Sequence, residues 1–441
     1  MHHLLYISEQ HRREPILTVS PDLHSVVPEG EYKKMYYHRP EMVCFQVYKE
    51  QQAYLADTNY FVGVDWLVPG RADVYVEPKL NDTEQVNFLG MLLQSLEAPE
   101  NLEHLEGLFH VDYDQPWISI PETKDFLSPI LIVQFLKLVQ RIVRKGLKKT
   151  YYRVTENLNS RVKGKILVSR QIKENLVKNR LTKTLCNYQE YGINSEENRF
   201  LKLVLEFVAS YLTQQRHVFT PEQNLQLQHV LHYCRPAFEQ VEEPQHEHRR
   251  HHAKKNVFYR EYEEALKIGG YILKRYSFNI NKTSESQTKT PPFWIDMSKL
   301  FELYVFQKLK QIFPEPNGVT YHDRYLGGKE TDILLRADGY KCVIDCKYKP
   351  GYKDNTPSLE DKRQLAGYTR LKSVYDKLGV PYSEIVKGVL IYSHQSCKDM
   401  IDKKALFETE MREYVEFYKL GISLPTLSLP DATVLRSLRV K

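Results

Sequence analysis

Residues 331–349, TDILLRADGYKCVIDCKYK, constrain the fold more than any other stretch: two runs of strand-forming residues flank Asp338-Gly339. Asp-Gly is a favoured two-residue hairpin loop because both positions accept positive φ. A loop of those two residues fixes the register and sets Asp332 opposite Asp345, their Cβ atoms about 4.5–5.5 Å apart on one face. Lys347 lies two residues beyond Asp345 and shares that face. Facing carboxylates repel, so a fold that keeps them needs compensation. A divalent cation bound by hard oxygen ligands is one compensator, and the Lys347 ammonium is another. The backbone carbonyl of Cys346 offers a further oxygen, and Lys347 can orient or deprotonate a metal-activated water for in-line phosphodiester hydrolysis. The alternative is a salt-bridged surface hairpin, and a three-residue turn would undo the register.

The flanking segments add to this pattern. Upstream, Glu302 sits among apolar residues in the helical stretch SKLFELYVFQKL, from which a carboxylate can reach the paired strands. Downstream, QLAGY places Gln364 and Tyr368 at i and i+4 on one helix face, within reach of Lys347 or of a bound strand. Each also reads as an ordinary amphipathic surface position. The order helix-Glu, strand-Asp, strand D-x-K, helix Q-x-x-x-Y resembles the PD-(D/E)xK nuclease superfamily in its RecB-like branch. Thr331 stands where the first half-motif usually has proline, a position at which the superfamily is tolerant. The resemblance implies that Asp332 and Asp345 ligate Mg²⁺, with Mn²⁺ as a substitute and Glu302 and the Cys346 carbonyl assisting. Lys347 would act on the attacking water, with Gln364 and Tyr368 auxiliary.

Hydropathy and turn residues suggest an α+β multidomain chain. Residues 1–123 read as a β-rich region, with VCFQVYKE, YFVGVDWLV and ADVYVEPKL as strands and a helix at 84–99. Residues 124–280 read as a mainly helical, basic middle region, its first helix broken at Pro129 and its last weakened by Gly269 and Gly270. The polar run at 281–292 reads as a linker. Residues 293–441 read as an α/β nuclease core with a mixed sheet flanked by helices.

Between Arg141 and Lys183, 14 basic residues accompany two acidic ones, Glu156 and Glu174. That bias suits a polyanion such as duplex DNA, or else a solvated face whose acidic partners lie elsewhere. Six scattered cysteines without a C-x-x-C pair argue against a zinc cluster or a disulfide framework and for a reducing cytoplasm. No apolar run is long enough for a membrane span. The polar cluster His246, His248, His251 and His252 lacks the partners of a metal site. Trp66, Trp117 and Trp294 read as core or interface anchors.

Over nearly its whole length the chain resembles the McrC subunits of McrBC 5-methylcytosine restriction systems, on GVDWLVPGRADVYVEPK, RVKGKI, EENRFLK and DMSKLFELYV as well as the nuclease motifs. This resemblance implies a hetero-oligomeric complex in which an McrB-like AAA+ GTPase supplies nucleotide hydrolysis and the modified-base reader. It also implies that the N-terminal region engages and stimulates that partner. Accordingly, the chain carries no G-x-x-x-x-G-K-[ST] phosphate loop. A standalone RecB-like repair nuclease and a non-enzymatic GTPase-activating adaptor are the competing functions.

Overall fold

The computed structural model describes residues 3–12, 14–16, 21–51, 53–78, 85–98, 101, 104–105, 107–121, 125, 127–214, 219–242, 260–279, 287–324, 330–349, 356–394 and 401–427. Contacts group the chain into two units, Met1–Leu127 with Ser284–Lys441, and Ser128–Thr283. The architecture is mixed α and β with several sheets. The four clustered histidines and Cys397 lie outside the described residues.

In the first unit, a five-stranded sheet runs in the order His3–Ser8, Ala72–Glu77, Phe61–Val68, Phe293–Asp296, Phe109–Val111. Its strands Phe61–Val68 and Ala72–Glu77 are buried except at their last residues, and each carries a buried acid, Asp65 or Asp73, among its apolar side chains. A four-stranded sheet contains the hairpin Gly30–Tyr36 and Arg39–Glu50. Both sheets contribute to one core that includes Leu5, Val47, Phe61 and Trp294. Trp66 and Trp294 are buried, their indole N–H groups donating to Pro116 O and to Asp65 Oδ2.

The end of the polar run and the residues after it pair with N-terminal strands. Residues 281–286 lie outside the described residues, but Gln287–Thr290 is a strand paired antiparallel with Ile118–Pro121. Phe293–Asp296 then enters the N-terminal sheet between Phe61–Val68 and Phe109–Val111. Gln287, Thr288, Lys289 and Thr290 satisfy a short ladder as readily as a loop, and Phe293, Trp294 and Ile295 carry the chain into the core.

The C-terminal part forms a second five-stranded sheet, ordered Val319–Arg324, Glu330–Ala337, Tyr340–Lys347, Lys387–Ser393, Phe417–Ile422. The first three strands are antiparallel and the last two run parallel to Tyr340–Lys347. A parallel pair needs a crossover, supplied here by the helices Leu359–Tyr368 and Lys372–Leu378, whose Leu365, Val374 and Leu378 pack with Val343 and Leu390. The helix Met297–Ile312 also packs on this sheet. Asp296 caps that helix by accepting from the Lys299 N–H at 3.0 Å.

The second unit has helices where periodicity places them: Leu127–Lys145, Glu196–Gln214, Pro221–Cys234 and Arg260–Asn279. Pro129 does not break the first of these, because it falls in the first turn, where a missing N–H has no helical partner. The last runs unbroken through Gly269 and Gly270. The basic stretch is not helical as expected. Thr150–Asn159, Lys165–Ile166 and Lys183–Gly192 form a three-stranded antiparallel sheet. Val154 and Leu158, four residues apart on one face of the strand, pack against Cys186 and Tyr188.

Gly63 tests the placement of the Phe293–Asp296 strand. A Cβ there would meet Phe293 O at 2.0 Å, and a backbone oxygen in a central ladder has nowhere to move. We expect Gly63→Ala to lower stability by about 1–3 kcal/mol or more, read by urea denaturation of the full chain. An unchanged midpoint would show that this strand does not lie against Gly63.

Candidate active site

The hairpin loop has positive φ at both Asp338 (50°) and Gly339 (78°), the conformation its Asp-Gly sequence favours. The ladder pairs Ala337 with Tyr340 and Ile333 with Ile344, so the register that sets Asp332 opposite Asp345 is the one observed. Across the other edge of the Asp332 strand, Tyr321 pairs with Ile333 and Asp323 with Thr331. His322 therefore stands beside Asp332. Its φ of 52° takes it out of the ladder, a costly conformation for a non-glycine residue inside a strand and one concentrated at functional sites.

Asp332 Oδ2 accepts from the Cys346 N–H at 2.8 Å. Burial, then the nearby Glu302 and Asp345 charges, push the Asp332 carboxyl well above the usual carboxylate range, against the pull of Lys347. Asp345 is 1% exposed, and burial raises its carboxyl to about 6 although Lys347 opposes the rise. Lys347 Nζ lies 3.0 Å from Asp345 Oδ1 and 2.9 Å from Oδ2. Burial works against the ammonium, but Asp345 and Asp332 hold its pKa well above the ordinary lysine value. Nζ also donates to Gln364 Oε1 at 3.0 Å, and Gln364 Nε2 donates to the Tyr368 hydroxyl at 2.8 Å. Burial raises the Tyr368 phenol. Asp345, Lys347, Gln364 and Tyr368 thus form one connected chain of contacts.

Glu302 projects from the helix Met297–Ile312. Its Oε2 lies 2.9 Å from His322 Nε2 and accepts from the Tyr321 hydroxyl at 3.3 Å. His322 Nδ1 lies 3.2 Å from Glu330 Oε1, so the ring bridges two acids. Glu302, His322, Glu330, Asp332, Cys346, Lys347 and Gln364 line one cleft of about 400 Å³. Asp345 does not line it, being covered and in contact with Lys347.

Sequence reasoning missed part of this lining. Arg39, Glu41, Met42 and Tyr60 of the N-terminal region face the same cleft. No local signal marks them, since their position follows from the shared core. His322 had a weaker signal, as a polar residue in a short strand next to the hairpin.

The donor set suits a hard cation. Asp332 and Asp345 offer carboxylate oxygens, and Asp345 Oδ2 makes no hydrogen bond although Lys347 Nζ lies 2.9 Å from it. Among the described residues no group of three or more His, Cys, Asp or Glu side chains is gathered for a metal.

The family model described as "McrBC 5-methylcytosine restriction system component" matches residues 58–393. Among solved structures, the chain is similar to one in a refined half-complex from a tetradecameric assembly of Thermococcus gammatolerans McrB AAA+ hexamers with bound McrC. The identity is 16% over 96% of this chain and 94% of that one, with a TM-score of 0.40. It is also similar to a chain of the T. gammatolerans McrBC complex, at 14% identity over 70% and 87%, with a TM-score of 0.29. No curated protein matches.

The raised carboxyls make stability depend on pH. The folded pKa of Asp332 lies above its unfolded value of about 3.9, so the native state binds more protons in that window and stability falls as pH rises through it. Asp332→Asn removes this loss while an amide oxygen can still accept from Cys346. In Mg²⁺-free buffer the variant should melt several degrees above the parent at pH 8 and no higher at pH 4. A variant that melts no higher at pH 8 would mean that the Asp332 charge is already compensated.

Proposed function

The chain belongs to the McrBC family of 5-methylcytosine restriction system components, and on that basis we propose that it is the McrC-type nuclease subunit, a Mg²⁺-dependent DNA endonuclease that works with an AAA+ GTPase. The observation that carries the nuclease reading is the row across the C-terminal sheet: Asp332 opposite Asp345, with Lys347 bonded to both Asp345 and Gln364 at an open cleft. Asp332, Asp345 and the Cys346 carbonyl would hold the ion, with Glu302 beside them. When bound, Mg²⁺ supplies Lewis acidity and charge neutralisation to the scissile phosphodiester.

Lys347 keeps its proton firmly because Asp345 and Asp332 favour the ammonium. In this reading it donates to the attacking water or to the phosphate oxygens as charge develops there, and does not take up a proton. Gln364, itself bonded to Tyr368, fixes the direction of Nζ. Such preorganisation acts mainly in the transition state.

The T. gammatolerans assemblies contain McrB AAA+ hexamers with McrC bound. For this chain the surface best suited to such a partner lies in the second unit. Val162, Val168, Leu176, Val177 and Leu181 are at least half exposed, close in sequence to the basic residues of the small sheet. Exposed apolar patches rimmed by polar residues mark protein interfaces. The N-terminal region, expected to carry that role, instead shares its core and the cleft with the C-terminal part.

The nuclease reading is tested by single-turnover cleavage of 5-methylcytosine-containing duplex DNA by the chain with the AAA+ GTPase of its system. Cleavage should require Mg²⁺, and the chain alone should cut weakly. Asp345→Ala should abolish cutting. Lys347→Ala should lower the rate roughly 10²–10³-fold with DNA affinity nearly unchanged. A folded Asp345→Ala variant that cuts at the parental rate would end this assignment.

The partner surface is tested separately. Val177→Glu with Leu181→Glu should weaken co-purification with the GTPase at least about tenfold, the effect of about 1.4 kcal/mol, and leave the melting temperature unchanged. Undiminished complex formation would move the interface elsewhere.

A further inference from the structure

We propose that Arg39 of the N-terminal region is a phosphate-binding residue of the same cleft, so that the DNA-cutting site is completed by a hairpin far from the D-x-K motif in sequence. This inference rests on the nuclease reading and adds to it a contact with the substrate backbone.

Arg39 begins the strand Arg39–Glu50, where Tyr36 pairs with it at the end of an irregular ladder. Its Nη1 lies 3.3 Å from Asp296 Oδ2, and a third of its side chain is exposed. Asp296 is fully buried and its other oxygen already caps the helix that carries Glu302. The guanidinium is therefore pinned at one corner. Arginine has five N–H donors in a planar fork, and this single ion pair occupies few of them. The exposed part lines the cleft with Glu302, Asp332 and Lys347. Asp296 and Glu302 reinforce its charge against burial.

The N-terminal region is also tied to the motif through the end of its first strand, His3–Ser8. The Tyr348 hydroxyl donates to Glu9 Oε1 at 2.7 Å, and Gln10 Nε2 donates to Tyr348 O at 3.2 Å. Tyr348 directly follows Lys347, so the residue next to the catalytic lysine is bonded to the end of the first strand. Glu9 and Tyr348 are both buried. A second N-terminal residue, Tyr60, lines the cleft close to Lys347 and Arg39.

The charge pattern identifies the ligand. Glu302, Glu330 and Asp332 make the cleft acidic, so it takes an anion only where cations are fixed. A planar, permanently charged fork is the side chain best matched to a phosphate, which it can grip through two parallel hydrogen bonds. Arg39 would thus hold a phosphate of the cut strand while Lys347 serves the scissile one. A purely structural Arg39 would neutralise Asp296 and do nothing more.

The experiment compares Arg39→Gln, Arg39→Lys and the parent full chain, each assembled with its AAA+ GTPase, in single-turnover cleavage with Mg²⁺ at several salt concentrations. Arg39→Gln should raise the half-saturating DNA concentration about tenfold, the loss of one charge-assisted contact, and reduce the salt slope by about 0.9. The rate at saturating DNA should fall less than the affinity. Arg39→Lys, which keeps the charge without the fork, should lie between the two. If Arg39→Gln fails to fold, Arg39→Lys decides. Parental half-saturation and salt slope in a folded variant would overturn the proposal. A parent complex that does not cut at all would instead overturn the nuclease reading.

Discussion

Asp332 and Asp345 occupy facing positions on adjacent strands, Asp345 buried and Asp332 half-buried at the cleft. Two unpaired anions in that setting would each cost several kcal/mol, so the neighbourhood is arranged around the repulsion. The Cys346 N–H turns toward Asp332. The Lys347 ammonium lies against Asp345, and Gln364 takes one of its protons in a hydrogen bond. Even so, burial keeps both carboxyls raised. In the proposed reading, a divalent cation would offset this charge.

How much of this was legible depended on how local the cause was. The hairpin register follows from Asp338-Gly339, two residues whose conformational tolerance decides the matter on the spot. The Gln364–Tyr368 contact follows from helical spacing. By contrast, Arg39, Tyr60 and His322 reach the cleft through tertiary packing and strand order, and no spacing within the chain encodes that. The basic sheet was legible in principle. Val154 and Leu158 follow the inward-facing alternation of a half-buried strand, but the density of lysine and arginine around them hides that period behind charge.

The polar run before Phe293 shows a different limit. Its composition makes it a poor core segment, and part of it pairs as a short strand all the same. Every residue offers a backbone carbonyl, and every residue but proline an N–H as well, so a polar sequence does not exclude a ladder. The four residues after the prolines decide the organisation: Phe293, Trp294 and Ile295 fill the centre of the N-terminal sheet, and Asp296 immediately starts the helix that carries Glu302.

That junction ties the two ends of the chain together chemically. Asp296 ends a strand of the N-terminal sheet, caps the Glu302 helix and holds Arg39. Its carboxyl is raised to about 6 by burial, with Arg39 opposing the rise. One buried carboxylate therefore links the N-terminal core to the orientation of a helix whose Glu302 lines the cleft. Cutting the chain near residue 285 would strip an interior strand from the N-terminal sheet and the counterion from Asp296 in one step. The residues that would hold the metal are close in sequence, but the geometry around them depends on strands at the opposite end of the chain. For this reason the first 127 residues are better understood as part of the site's scaffold than as a detachable accessory.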